Sequence, residues 1–268
     1  MSAGSRGGPW TGPYARAGLL WAVGVGVVVL GGALTLALMP ASSGTLRSLV
    51  VLEVLLVVVL LMRRAWFSWA DVAVVGARQW RGSGWLVVPL GLALLPLAFG
   101  VERPAEVGVL TLAVGYLLTG VTEELLWRGM VLKVLGPVGP WRAVLVAAAL
   151  FGTAHLANVL FRENVALVLA QVWGSFCFGV AYGALRYRTG TIVPLMVVHA
   201  VTDMCAAVTA GPRIPLLVVE DAALLVFGLL ALRGLGRPQD GAAEAAAVPW
   251  NPRAVPGHNA GERQPDLQ

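Results

Sequence analysis

About eight stretches of this chain stay apolar over a length that crosses a bilayer, and that leaves few folds open. In hydrocarbon every backbone N–H and C=O must find its partner inside the protein, so spanning segments are helices or closed barrels. The runs are continuous rather than alternating, which selects helices. They cover residues 17–39, 46–62, 85–101, 107–132, 141–160, 165–187, 191–210 and 214–232. The expected fold is therefore all-α, a polytopic membrane protein of about eight transmembrane helices. Composition agrees: 58% of residues are hydrophobic and only 12% charged, where a soluble domain carries about a quarter charged.

The third run is short and holds Pro89 and Pro96, which predicts a kink or a tilt. Between the second and third, residues 65–84 mix Trp66, Phe67, Trp69 and Trp80 with Arg78 and Arg81. That pattern predicts an amphipathic helix lying in the headgroup layer. The first run follows Arg6 and Arg16 and is too long for a signal-peptide core, so it reads as the first span. Cys177 and Cys205 fall inside apolar runs, where a thiol acts as a small hydrophobe and predicts no disulfide.

Orientation follows from the basic residues. If the N-terminus is cytoplasmic, that side receives Arg63, Arg64, Arg78, Arg81, Lys133, Arg142, Arg186, Arg188, Arg233 and Arg237. The opposite side receives only Arg47, Arg103, Arg162 and Arg213. Both termini are expected in the cytoplasm of a multi-pass cell-membrane protein. The expected divisions are a cytoplasmic segment 1–16, N-terminal spans 17–106, a core 107–210, a last span 211–233 and a disordered cytoplasmic tail 234–268. Basic residues exceed acids by 19 to 14, but in a membrane protein their location says more than their excess; membrane lipid is an expected partner and nucleic acid is not. Nothing in the sequence indicates an oligomeric state.

Against this background a few ionisable residues stand out. Glu123 and Glu124 close a run, 107–121, whose polar members are two threonines and a tyrosine, and Arg128 follows one turn after Glu124. His155 and His199 lie in two later spans, and Asp203 follows His199 by one turn. An ionisable group at membrane depth costs a few kcal/mol and by default marks a functional site. Taken singly, a membrane histidine is a helix–helix hydrogen-bonder and a Glu–Arg pair a structural clamp; taken together they suggest chemistry. Glu124 and Arg128 share a helix face, whereas Glu123 is turned about 100° away, free to face a cavity. A carboxylate in apolar surroundings is a better base than one in water. Two histidines on separate helices and a carboxylate on a third suffice to bind and activate one water. Glu53 lies within snorkelling reach of the outer interface; Glu220 and Asp221 read as polar residues at the entrance to the last span. His258 reads as solvent-exposed in the tail.

The string Glu123-Glu124-Leu-Leu-Trp-Arg128-Gly129, then Phe151-Gly-Thr-Ala-His155, then His199-Ala-Val-Thr-Asp203, resembles the motif set of the CPBP family. This is the CAAX-protease and bacteriocin-processing family, also called the abortive-infection family, which includes the Ras-converting endopeptidase. The motif order and spacing are similar too, over about a third of the chain. The resemblance implies an eight-helix membrane fold and glutamate-dependent peptide hydrolysis without a cofactor. It implies Glu123 as the base that activates water, His155 helping to hold that water, and Glu124 with Arg128 shaping the site. His199 and residue 203 would stabilise the tetrahedral oxyanion.

The family's commoner pattern has asparagine at the last position. An ionised Asp203 cannot donate a hydrogen bond to an oxyanion. Protonation of Asp203, a role in orienting His199, or reduced activity are the open alternatives. By depth His199 lies about 12 Å and His155 about 21 Å inside the cytoplasmic face, so their convergence requires helix tilt or a submerged turn at 136–140.

Rival readings are a zinc protease with His155, His199 and Glu123 as ligands, and an inactive scaffold or immunity protein. A proton-coupled transporter is weaker, since no inverted repeat is seen. The expected partner is a membrane-associated peptide or protein substrate.

Overall fold

The computed structural model describes residues 12–38, 43–63, 67–102, 108–161, 164–210 and 213–235. The expected tail, apart from residues 234–235, and the N-terminal segment before residue 12 lie outside them. The chain divides into a compact unit, Met1–Arg237, and a second, Pro238–Gln268, that falls outside the described residues.

Nine α-helices are described: α1 Pro13–Leu38, α2 Ser43–Leu61, α3 Val87–Leu94, α4 Val109–Glu123, α5 Leu132–Leu135, α6 Pro140–Ala154, α7 Val165–Thr189, α8 Val193–Val208 and α9 Arg213–Leu232. A π-helical stretch, Glu124–Val131, makes α4 and α5 one continuous rod. Among the described residues five segments are long and apolar enough to cross a membrane, and three shorter apolar helices, Val51–Leu61, Ser83–Phe99 and Val193–Val208, lie in the remaining expected runs. The protein is an all-α polytopic membrane protein. The third segment breaks where its prolines predict, α3 giving way to a 3-10 stretch, Leu95–Phe99, with Pro96 in its first turn.

Helix α7 is the centre of the bundle, with α6 on one side and α9 on the other. Small residues set the spacing, as they do where helices pack in lipid. Gly179 and Gly183, one turn apart, lie against Ala148 and Val144 of α6, and Gly228 of α9 lies against the backbone of Val180 and Ala181. The α4 and α8 helices cross at Gly120, where a Cβ would sit 2.5 Å from the Met196 carbonyl. At the end of α7 the left-handed Gly190 (φ 71°) returns its N–H to the Arg186 carbonyl, which turns the chain sharply into α8.

The expected interfacial helix is not formed. Residues 67–84 are turns and single 3-10 turns instead. Ser68 and Asp71 close a side-chain-capped turn, Ser68 donating from N and Oγ to Asp71 Oδ2 at 2.9 and 2.7 Å. Ala73 then takes a left-handed conformation (φ 57°), which no α-helix continues through. What the sequence pattern missed is that Val72 and Ala73 are buried against the bundle, Val72 beside Gly129. Asp71 also pairs with Lys133 at 2.9 Å. Partial burial alone would raise the Asp71 carboxyl, but hydrogen bonds from Lys133 and Ser68 outweigh it and hold the group below its ordinary value.

Arg81, Arg188 and Arg233 come together where α7 and α9 end. Arg188 donates to the Ala231 and Arg233 carbonyls and stacks its guanidinium 5.0 Å from Trp85, while Arg81 N–H reaches the Thr189 carbonyl. Residues 100–102 pair with 208–210 by backbone hydrogen bonds.

Candidate active site

The α-helical spacing of α4 ends at Glu123. From Glu124 to Val131 the backbone widens into a π-helix, all eight residues of which are buried. Such widened turns recur at functional sites because they re-aim side chains within a helix. Arg128 still reaches Glu124, Nη1 to Oε1 at 3.0 Å, and both side chains are cut off from solvent. A pair this dry is held by what surrounds it. Three rings supply the surroundings: the guanidinium carbon lies 4.4 Å from the Phe151 centroid, 5.2 Å from Phe178 and 5.6 Å from Tyr182. Phe178 and Tyr182 stack on each other at 3.7 Å and 19°. Helices α6 and α7 thus build an aromatic wall that stabilises the cation in the absence of water.

His199 of α8 is the element that joins the two acids. Its Nδ1–H donates to Glu124 Oε1 at 2.9 Å, the same oxygen that Arg128 approaches. Its Nε2 faces Glu123 Oε2 at 3.7 Å and Asp203 Oδ2 at 3.9 Å. One imidazole therefore stands between adjacent carboxylates, a different ring nitrogen turned to each. Gly120 makes this possible, since it lets α8 approach within one residue of His199 itself. The ring is backed by Phe178, centroids 4.6 Å apart.

The two glutamates occupy different surroundings, as their angular separation predicts. Glu124 is fully buried, whereas the Glu123 side chain is 27% exposed and Asp203 32% exposed. The reactive-looking face is thus the one shared by Glu123, Asp203 and His199 Nε2. At 3.7 Å, Glu123 and Nε2 are too far apart for a direct hydrogen bond and suitably placed to share a water.

His155 stands elsewhere. It ends α6, its Nδ1–H donates to the Phe151 carbonyl at 2.9 Å, and its ring meets Phe151 edge-on at 4.8 Å. Nε2 is left as the acceptor. The acids are met by His199, and His155 reaches the cluster through Phe151. Among the described residues no three His, Cys, Asp or Glu side chains gather as a set able to hold a metal ion, so the set His155, His199 and Glu123 is not brought together. Phe178 and Tyr182 are site residues that sequence reasoning passed over. Their signal is an aromatic pair one turn apart in a span otherwise rich in small residues.

Of the remaining acids in the spans, Glu220 is the one that departs from expectation. The Glu53 carboxyl packs on Gly31 of α1 and that of Asp221 on Gly174 of α7. Glu220 is buried, 8% exposed, rather than lying at an entrance.

A helical bundle whose apolar helices converge on a buried acid–arginine–histidine cluster defines a membrane protein with a polar cluster in its interior. Residues 105–205, which include Glu123, Glu124, Arg128, His155, His199 and Asp203, match the family described as type II CAAX prenyl endopeptidase Rce1-like. The matched segment is under half of the chain and makes this part of it similar to a protease family. No curated protein and no solved structure matches the chain.

Proposed function

We propose that the protein is an intramembrane endopeptidase that hydrolyses a peptide bond of a membrane-associated peptide or protein with water activated by Glu123. The observation that carries this reading is the His199 ring set between Glu123 and Glu124, one nitrogen toward each, with Glu123 the more exposed acid. Glu123 Oε2 takes a proton from a water on the side it shares with His199 Nε2. The resulting hydroxide attacks the scissile carbonyl carbon, and the proton passes to the leaving amine as the C–N bond breaks. With Nδ1–H committed to Glu124, Nε2 is the atom of His199 able to relay that one proton: it receives it from Glu123, hydrogen-bonds through it to the oxyanion, and gives it up to the leaving amine. Arg128 pairs with Glu124 and so fixes the histidine's anchor in place. Asp203, turned to the same nitrogen, acts by orienting and electrostatically supporting His199.

The donor geometry supports a mechanism without a resident metal: Nδ1 of His199 is committed to Glu124, and His155 is turned to the Phe151 carbonyl. The distribution of arginines supports a cell-membrane protein with both termini in the cytoplasm and a site in the cytoplasmic half of the bilayer. The substrate is a peptide segment presented at that face, bearing a lipid or a membrane anchor.

The test is Glu123→Gln in purified protein reconstituted in vesicles, assayed by mass spectrometry against lipidated and unlipidated peptide pools. Loss of cleavage with unchanged thermal unfolding is expected; undiminished turnover by the variant would refute the role of Glu123. Turnover that survives a chelator but is lost in this variant separates the glutamate mechanism from a zinc one.

A further inference from the structure

A second polar site borders the aromatic wall, sharing Phe178 and Tyr182 with it. Glu220 of α9 and Tyr182 of α7 face a small cavity of about 10 Å³ together with Thr202 of α8. Its remaining walls are apolar, among them Pro89, Leu92 and Phe178. Glu220 is 8% exposed and Tyr182 fully buried; Glu220 Oε1 has no hydrogen-bond partner within the protein, and the Tyr182 hydroxyl approaches the Thr202 side chain without completing a well-formed hydrogen bond. Buried polar groups are satisfied, by protein or by ordered water, in the great majority of cases. Two such groups from different helices turned into one cavity point to a shared ligand. The volume is that of about one water molecule, and a buried water takes about three partners.

The donors and acceptors match. The Thr202 hydroxyl hydrogen is committed to the Val198 carbonyl at 2.9 Å, so its oxygen is left to accept. The Tyr182 hydroxyl can donate, and the Glu220 carboxyl oxygen can accept. A water that accepts from Tyr182 and donates one hydrogen to Glu220 and the other to Thr202 satisfies all three groups.

We propose that Glu220, Tyr182 and Thr202 bind one structural water, and that this site makes Tyr182 a positioning residue for the acid–histidine cluster. The link is the ring of Tyr182. It stacks on Phe178, lies 5.6 Å from the Arg128 guanidinium and meets the His199 ring at 6.1 Å and 71°. Anchoring the hydroxyl fixes the plane of the ring against which Arg128 and His199 are held. Helix α9, outside the matched family segment, thereby contributes to the site.

The experiment is a double-variant comparison in detergent-purified protein with two readouts. Tyr182→Phe keeps the stack and removes the hydroxyl; Glu220→Leu removes the acceptor; Glu220→Gln keeps an acceptor. In thermal unfolding, the Phe and Leu variants are expected to be non-additive, the double variant melting with the worse single variant, because each loses the same water. Glu220→Gln is expected to melt close to the wild type. Melting-point losses that simply add, or a Gln variant as poor as Leu, would overturn the proposal. In the proposed cleavage reaction, Tyr182→Phe should lower kcat roughly tenfold at unchanged KM, less than the hundredfold of a misplacement of about 1 Å. An unchanged kcat would overturn the positioning role. This kinetic arm rests on the protease reading, but the thermal arm does not: coupling without turnover in the wild type would retain the water site and reject the protease.

Discussion

Replacing Gly120 by alanine tests the site at the point where two helices meet. A Cβ there would lie 2.5 Å from the Met196 carbonyl oxygen, 3.3 Å from Ala200 N and 3.5 Å from His199 Cβ. The closest of these is backbone, which cannot rotate aside. Reaching ordinary contact at about 3.4 Å requires α4 and α8 to separate by roughly 0.9 Å at the crossing. Transmitted along the His199–Glu124 hydrogen bond, that takes a 2.9 Å contact to about 3.8 Å, beyond hydrogen-bonding range. Overpacking costs about 1–3 kcal/mol, offset by up to ~1 kcal/mol from the better helix propensity of alanine. The expected net loss of stability is therefore small, ~0–2 kcal/mol, while a 1 Å displacement of catalytic groups costs about a hundredfold in rate. The assay is peptide cleavage in vesicles alongside thermal unfolding. Gly26→Ala in α1 is the control, because a Cβ there meets nothing within 4 Å. Wild-type turnover by Gly120→Ala, with an unchanged or raised melting temperature, would refute the claim that this crossing sets the acid–histidine geometry.

Other outcomes follow from the same contacts. Arg128→Leu strands the buried Glu124 carboxylate and should destabilise by about 3–5 kcal/mol, read as poor expression and a lowered melting temperature; Arg128→Lys keeps the charge but loses the planar stacking and should be intermediate. Asp203→Asn keeps the shape but removes the charge that supports His199 and should lower kcat at unchanged KM, whereas a rise would assign residue 203 an oxyanion-donor role instead. Asp71→Asn removes the link to Lys133 and should cost about 1 kcal/mol or less, since both groups are partly exposed. Its sign with pH is set by the depressed folded-state value. The contribution is present above the unfolded carboxyl value, about 3.9, and is lost as pH falls through the lower folded one. Melting curves on the acid side should therefore converge for wild type and variant, and a difference that widens with acidification would contradict the pairing.

Much of this protein is a local property of its sequence. Apolar runs of about 20 residues must satisfy their own backbone groups, so helix was settled without any tertiary contact. The break in the third segment follows from the ring of Pro96, and the site residues Glu123, Glu124, Arg128, His199 and Asp203 announce themselves by the cost of a charge in hydrocarbon. Even the division between a buried and a more accessible glutamate follows from the pitch of one helix.

The partners were a different matter. His199 lies 75 residues from Glu124 in the chain, and its choice over His155 rests on how closely α4 and α8 cross at Gly120. The π-helical widening, the rings of Phe178 and Tyr182 around Arg128, and the inward turn of Glu220 likewise arise only when separate spans pack. Residues 67–84 show the same limit from the other side. Their aromatic and basic pattern suits an interfacial helix, but burial of Val72 and Ala73 against the bundle gains more than a helix in the headgroup layer would. Periodicity and charge determine what each segment can be, because those energies are summed within it. Which side chains meet is decided by helix-crossing distances of a few tenths of an ångström, and only the packed tertiary structure contains them.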